Sequence, residues 1–283
     1  MRRPIIAGLC LTIIILFAVT LTKTKEINSQ VHLSEQLDQR REDFHKQMEI
    51  AQRQKQDLHL PILVYHYVEI VTDLRDTNRQ SMAIPPRTFE DQMVTLRVEG
   101  YHPIHFNDLS AYFNGEKDLP TKPIILTFDD GYRDFYTDVL PILRKHHVPV
   151  TAYIVSGFLD YTQNYLTTEQ FMEIAHEPLV EIAAHTVSHA DLTTLNLASA
   201  QEQIVDSKQM LKKLIGRPVN HFAYPYGRYQ IGTLQLVEKA GFATAVAMDL
   251  GTTQNYASRF HLKRLRPGRL TGKAFINLIE TKR

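Results

Sequence analysis

The chain has 283 residues, 43% of them hydrophobic, enough for one core of ~200–250 residues plus appendages. Its 32 basic and 31 acidic side chains leave a formal net charge of +1, so there is no basic excess of the kind a nucleic-acid partner needs. The single cysteine, Cys10, excludes internal disulfides, and with no tryptophan any platform for a sugar ring must be Tyr or Phe.

Arg2 and Arg3 precede an uncharged run, 4–22, rich in Ile, Leu, Val and Phe. As a helix that run is ~28 Å long, close to the ~30 Å of a bilayer's hydrocarbon core. Residues 1–22 are therefore expected to form a transmembrane signal anchor or a signal peptide. Ala18-Val19-Thr20 makes a poor cleavage site, which favours the anchor. The leading arginines keep that end inside and put the rest outside. Residues 23–58 are polar, without Pro or Gly, and carry only a thin apolar stripe of Ile27, Val31, Leu37, Phe44 and Met48. They read as a helical or partly disordered stalk.

At Pro61 the texture changes, and 59–283 is expected to be the main folded domain. Apolar runs at 61–65, 123–128, 150–155, 179–184, 221–224, 243–248 and 262–265 read as strands. Between them, 89–98, 136–146, 167–175, 198–215, 231–240 and 272–279 read as helices, the third opening on a Thr167–Gln170 capping box. Strands alternating with helices imply parallel strands, in a βα barrel or a doubly wound sheet. About seven strands in one unit favour the barrel. Chemistry in such a barrel sits where strands end.

Three strand ends stand out. Asp129-Asp130-Gly131 puts two carboxylates directly after a buried strand, where they need partners, with a glycine to turn the chain. His185 and His189 come after the 179–184 run; if a helical turn begins there, the i, i+4 imidazoles share a face at a metal-chelating spacing. Tyr224-Pro225-Tyr226-Gly227 offers a rigid turn whose amides suit an oxyanion. Two neutral histidines and one carboxylate suit Zn²⁺ and leave positions open, and the other carboxylate is free to act as general base. That is equipment for hydrolysing an amide or ester.

With Thr-Phe-Asp-Asp-Gly at 127–131 and His-Thr-x-x-His at 185–189, residues 60–280 resemble the polysaccharide deacetylases of carbohydrate esterase family 4. The resemblance implies an α/β fold, a distorted (β/α) barrel. It implies Asp129 as general base, Asp130, His185 and His189 as ligands of a divalent metal, most often Zn²⁺, and the Tyr226 N–H as an oxyanion donor. Pro61-Ile-Leu-Val-Tyr-His66, the stretch Phe89-Glu-Asp-Gln-Met through Gly100-Tyr101, and Phe222-Ala-Tyr-Pro-Tyr-Gly227 are most similar to the branch acting on poly-β-1,6-N-acetylglucosamine in biofilms. The expectation is a membrane-anchored cell-surface enzyme that removes N-acetyl groups from an N-acetylglucosamine polymer. The alternatives are a peptidoglycan or chitin deacetylase, or a catalytically weak carbohydrate-binding protein. The chain departs from the family pattern in three ways: no Arg before the Pro-Tyr turn, no late Asp-x-x-Asp-Trp, and no late Leu-x-His. Arg264, with Arg266 next, is the candidate for the missing cation beside Asp129. His66, at the end of the first strand, is the candidate for the missing acid. His261 precedes its strand and is expected at the wrong end of the barrel.

Overall fold

The computed structural model describes residues 3–73 and 75–281, with side chains from Ile15 onward. The chain divides into two compact units, 1–52 and 53–283. Helix α1, Arg3–Lys55, runs through the polar stretch expected to form a stalk. The apolar segment 1–22 lies partly outside the described side chains; among the described residues no helix is long and apolar enough to cross a membrane.

The second unit alternates strands and helices. Strands β1 (Leu58–His59) and β2 (Ile62–Tyr65) precede helices α2 (Thr77–Met82) and α3 (Pro86–Val98). Then come β3 (His102–Pro103), α4 (Phe106–Phe113), β4 (Pro123–Phe128), α5 (Leu140–His146) and β5 (Val150–Ile154). Helix α6 (Thr168–His176), β6 (Val180–Ala184), α7 (Leu197–Ile215), β7 (His221–Ala223) and α8 (Ile231–Lys239) continue the alternation. Strands β8 (Thr244–Val246) and β9 (Thr253–Gln254) and helix α9 (Gly272–Glu280) complete it.

Strands β2-β4-β5-β6-β7-β8 pair in parallel in that order, and β3 adds a seventh at the start of β4. The sheet curls, as expected for a distorted (β/α) barrel. Strand alternation separates its two faces. Leu63, Leu126, Ala152, Ile182 and Phe222 face one way, into a core shared with the helices. Ile62, Ile125, Tyr153, Ala183, Ala223 and Val246 face the other way, into a second core closed off by Phe106, Leu109 and Phe113 of α4.

Three expectations need correction. The run 262–265 is not a strand. Leu262 exchanges backbone hydrogen bonds with β8 (to Ala245 O and from Ala247 N), while Leu265 bonds β2 (to Ile62 O and from Val64 N). It switches partner within four residues, so it fills the gap between the two edge strands without a continuous ladder to either. The helix expected over 136–146 opens instead with a π-helical turn, Phe135–Val139. Pro141 has no N–H to close an α-helical bond there, and the Leu140 amide reaches back to Phe135 O. Finally, α4 and β3 were missed. Helix α4 has apolar residues at helical spacing but opens on His105 rather than on a usual cap residue, and β3 is two residues long and contains a proline. The Thr167 capping box is present as expected: Thr167 Oγ1 accepts from Gln170 N and Gln170 Oε1 from Thr167 N, both at 3.1 Å.

The foot of the inner face is polar. Glu181 is buried there and accepts from Phe106 N, Asn107 N and Thr151 Oγ1 at 2.9, 3.1 and 2.9 Å, with His221 Nε2 at 3.6 Å. Burial pushes this carboxyl up, but the facing His221 and the donors outweigh it and hold it down at about 2. A folded-state pKa below the unfolded value stabilises the fold above that unfolded value, and the contribution is lost as pH falls through about 2. Glu181→Gln should therefore be less stable at pH 7 by about 3 kcal/mol, with the gap to wild type closing between pH ~4.5 and ~2. Urea unfolding at several pH values checks it; a gap independent of pH would remove Glu181 from this role.

Candidate active site

The inner-face phase of each strand continues past its carboxyl end. His66 is in phase with Ile62 and Val64, Asp129 with Ile125 and Thr127, and His185 with Glu181 and Ala183. Because the strands are parallel, all three emerge at the same mouth. They line one cleft of about 460 Å³, with Asp130, His189 and Arg264.

Asp129 is buried, and Arg264 grips both of its oxygens, Nη1 to Oδ1 and Nη2 to Oδ2, each at 2.8 Å. Arg264 is buried too and is itself held, donating from Nε to Ala247 O at 2.9 Å and from Nη1 to Thr127 Oγ1 at 3.2 Å. Burial alone would raise the Asp129 pKa; the guanidinium overrides it and keeps the carboxyl below its ordinary value. The cation sought from the sequence is thus Arg264. Arg266 lines the cleft, but the hydrogen bonds to the Asp129 carboxylate come from Arg264.

Strand alternation would send Asp130 to the opposite face from Asp129, but the strand ends there, with Asp130 and Gly131 both left-handed at φ 77°, and Asp130 lines the same cleft. Its Oδ1 lies 3.3 Å from His185 Nε2 and 3.2 Å from His189 Nε2. The two histidines do not share a helical turn, contrary to expectation. Thr186 (φ 66°) and His189 (φ 55°) are left-handed, and this irregular turn brings the rings to 5.0 Å between centroids. Such conformations in non-glycine residues cost of order 1–3 kcal/mol each and persist where surrounding structure enforces them. Gly157 is part of that enforcement. Its N–H donates to Val187 O at 2.8 Å, and a Cβ there would sit 2.5 Å from the same oxygen.

The donor set fits a metal ion. His185 Nδ1 is 2.8 Å from Ala223 O, an acceptor only, so Nδ1 carries the hydrogen and Nε2 presents a lone pair in the neutral ring. Asp130 Oδ1 is buried yet accepts no hydrogen bond. The ligand atoms of Asp130, His185 and His189 all lie within 4.8 Å of one another, close enough to share one ion.

The other expected residues divide between the cleft and its surroundings. Tyr226 is left-handed (φ 60°, ψ 6°), and its ring packs edge-on against His189 at 4.6 Å, while the amides of Gly227 and Arg228 on its far side bond Tyr224 O and Pro225 O. A Cβ on Gly227 would meet Met248 at 2.3 Å, so only glycine lets the turn sit against the cleft wall. Burial lowers the His66 pKa, with Asp129 and Asp130 pulling the other way. His261 does not line the cleft; its ring stacks on Tyr229 at 5.4 Å. Tyr67, Tyr132 and Met82 were missed, although they line the cleft. The first two directly succeed His66 and Gly131 in the chain, and that adjacency was the available signal.

A sequence profile described as polysaccharide deacetylase matches residues 116–245. The Bacillus subtilis protein YxkH, named as a polysaccharide deacetylase, is 30% identical over 224 residues, covering 78% of this chain and 76% of that protein. The chain belongs to the polysaccharide deacetylase family. It is accordingly an enzyme of carbohydrate esterase type, in a family whose members depend on a metal. An Escherichia coli poly-β-1,6-N-acetyl-D-glucosamine N-deacetylase is 32% identical over 123 residues, 38% of this chain but only 18% of that protein. A Streptococcus pyogenes deacetylase solved with acetate superposes with a TM-score of 0.74 at 25% identity, over 80% of this chain and 100% of that one.

The buried pair in this deacetylase generates a stability prediction. Arg264→Met leaves the Asp129 charge without its partner and should cost ~3–5 kcal/mol. Adding Asp129→Asn should return much of that loss, because no charge is then stranded. Chemical unfolding of both single variants and the double variant decides it; strictly additive losses would show that the two side chains are not coupled.

Proposed function

We propose that this enzyme is a metal-dependent N-deacetylase that acts on an N-acetylglucosamine polymer outside the cell, with poly-β-1,6-N-acetylglucosamine as substrate. The observation that carries the reading is the meeting of two groups in one cleft. Three lone-pair donors converge at Asp130, His185 and His189, next to a carboxylate, Asp129, that a buried arginine keeps ionised. The β-1,6 linkage draws its support from the name of the Escherichia coli relative.

Zn²⁺ held by Asp130, His185 and His189 would polarise the acetyl carbonyl and acidify water. The chain's own groups do the rest. Asp129 takes the proton from the attacking water, with Arg264 fixing the orientation of its carboxylate. The Tyr226 N–H donates to the carbonyl oxygen as negative charge grows on it. As the C–N bond breaks, His66 protonates the nitrogen, giving acetate and a free amine. The lowered pKa of His66 makes its protonated form a stronger acid, though less populated at neutral pH.

Acetate release and free amines should be measured on β-1,6- and β-1,4-linked N-acetylglucosamine oligomers, alongside metal content. Asp130→Ala, His185→Ala and His189→Ala should each lose both metal and activity. Asp129→Asn should keep the metal and lose ~10²–10⁴ in rate. His66→Ala should lower turnover far more than His261→Ala, with metal retained. Full rate and full metal in any ligand variant would end the ligand assignment; preference for β-1,4 oligomers would move the substrate to peptidoglycan or chitin.

The same reading gives the uncharged run 4–22 the part of membrane anchor, or of signal peptide if it is cleaved, with 23–58 as the spacer before the catalytic domain 59–283. Protease treatment of intact cells should then digest the catalytic domain. A domain that stays protected while other surface proteins are cut would place it inside.

A further inference from the structure

A line of aromatic rings leaves the cleft and ends in solvent. Tyr67 stacks on Tyr132 with centroids 4.0 Å apart and planes at 28°, and Tyr132 stacks on Tyr165 at 5.0 Å and 25°. Tyr165 leans on Phe158 at 4.8 Å, and Phe158 stacks on Tyr161 at 5.2 Å and 18°. Exposure rises along the line, from 8% at Tyr67 to 65% at Tyr161. Its inner end is a wall of the catalytic cleft, which both Tyr67 and Tyr132 line.

The line is held in place along its length. Arg79 lies over the Tyr67 ring, 4.7 Å from its centroid, and is ion-paired to Glu69. The loop carrying Phe158, Tyr161 and Tyr165 is stitched to the segment after Asp130. Leu166 N donates to Gly131 O at 3.0 Å, and Arg133 N to Asn164 O at 2.9 Å. At the loop's far end Asp160 accepts from Thr168 N and Thr168 Oγ1. A tyrosine ring held two-thirds exposed, and stacked flat on a half-buried phenylalanine, adds little to the core. A flat, fixed aromatic face with polar groups nearby is what the C–H face of a pyranose ring stacks on, and the amide side chains of Gln163 and Asn164, exposed on the same loop, suit sugar hydroxyls.

We propose that Tyr132, Tyr165, Phe158 and Tyr161 form a rail that binds sugar residues of the polymer adjoining the one in the cleft, with Tyr161 as its outermost stacking face. The inference rests on the polysaccharide reading above and adds to it where the rest of the chain lies. One stacked ring contributes about 1 kcal/mol, or roughly fivefold in affinity.

The test compares N-acetylglucosamine hexamers with dimers, in both linkages, on the zinc-loaded full chain. Tyr161→Ala should raise the hexamer KM about fivefold, leave kcat unchanged and leave kcat/KM for the dimer unchanged. Tyr161→Phe, which keeps the ring, should match wild type. Equal losses on hexamer and dimer, or no loss on either, overturn the rail. Hexamer binding is measured separately by quenching of tyrosine emission in an Asp129→Asn background, since no tryptophan masks that signal. Binding weakened about fivefold by Tyr161→Ala, in a protein whose wild type releases no acetate from any oligomer, keeps the rail and rejects the deacetylation substrate. Binding insensitive to Tyr161→Ala rejects the rail whatever the turnover.

Discussion

The site depends on one buried ion pair. Asp129 and Arg264 are both withdrawn from water, a state that is costly for either alone and tolerable together because the fork of the guanidinium meets both carboxylate oxygens. Arg264 is itself anchored, since Ala247 O and Thr127 Oγ1 accept from two more of its N–H groups. It sits on the segment that fills the gap between β8 and β2. The segment that joins β8 to β2 therefore also carries the cation that keeps Asp129 ionised.

The inner face is layered. At its foot Glu181, Thr151, His221 and Thr244 form a hydrogen-bonded polar base beneath α4. Above it Ile62, Ile125, Tyr153, Ala183, Ala223 and Val246 exclude water. At the mouth the same alternation delivers His66, Asp129 and His185. The apolar middle lowers the local dielectric under the charged mouth, which strengthens each interaction there and penalises any unpaired charge. Left-handed Asp130, Thr186, His189 and Tyr226 lie where the strands give way to loops. The ladder fixes where each strand stops, and the strained turns aim the side chains beyond it.

Much of this is legible in the sequence because it obeys short-range rules. The strands at 61–65, 123–128, 150–155 and 179–184 can be read to within a residue from continuous apolar runs, and their ends point to His66, Asp129, Asp130, His185 and His189. The Thr167 cap is readable because its two partners are three residues apart. The features that are not legible depend on distance along the chain. Nothing local in 262–265 says that its hydrogen bonds divide between two strands, so it resembles one more strand of the sheet. The Arg264–Asp129 geometry is foreseeable only as a charge requirement, and Arg266 meets that requirement nearly as well until the fold chooses. The tautomer of His185 is set by the carbonyl of Ala223 on a neighbouring strand. The aromatic line joins residues of three loops, so composition could say only that Tyr or Phe must serve.

The joining of β8 to β2 through 262–265 has a consequence for how the molecule comes to exist. During synthesis Asp129 emerges 135 residues before Arg264. Until the later segment arrives, a barrel closed around Asp129 would enclose an unpaired negative charge, which is costlier than leaving the sheet open. Closing early is thereby disfavoured, and Asp130, His185 and His189 all precede in sequence the segment that fills the gap between β8 and β2.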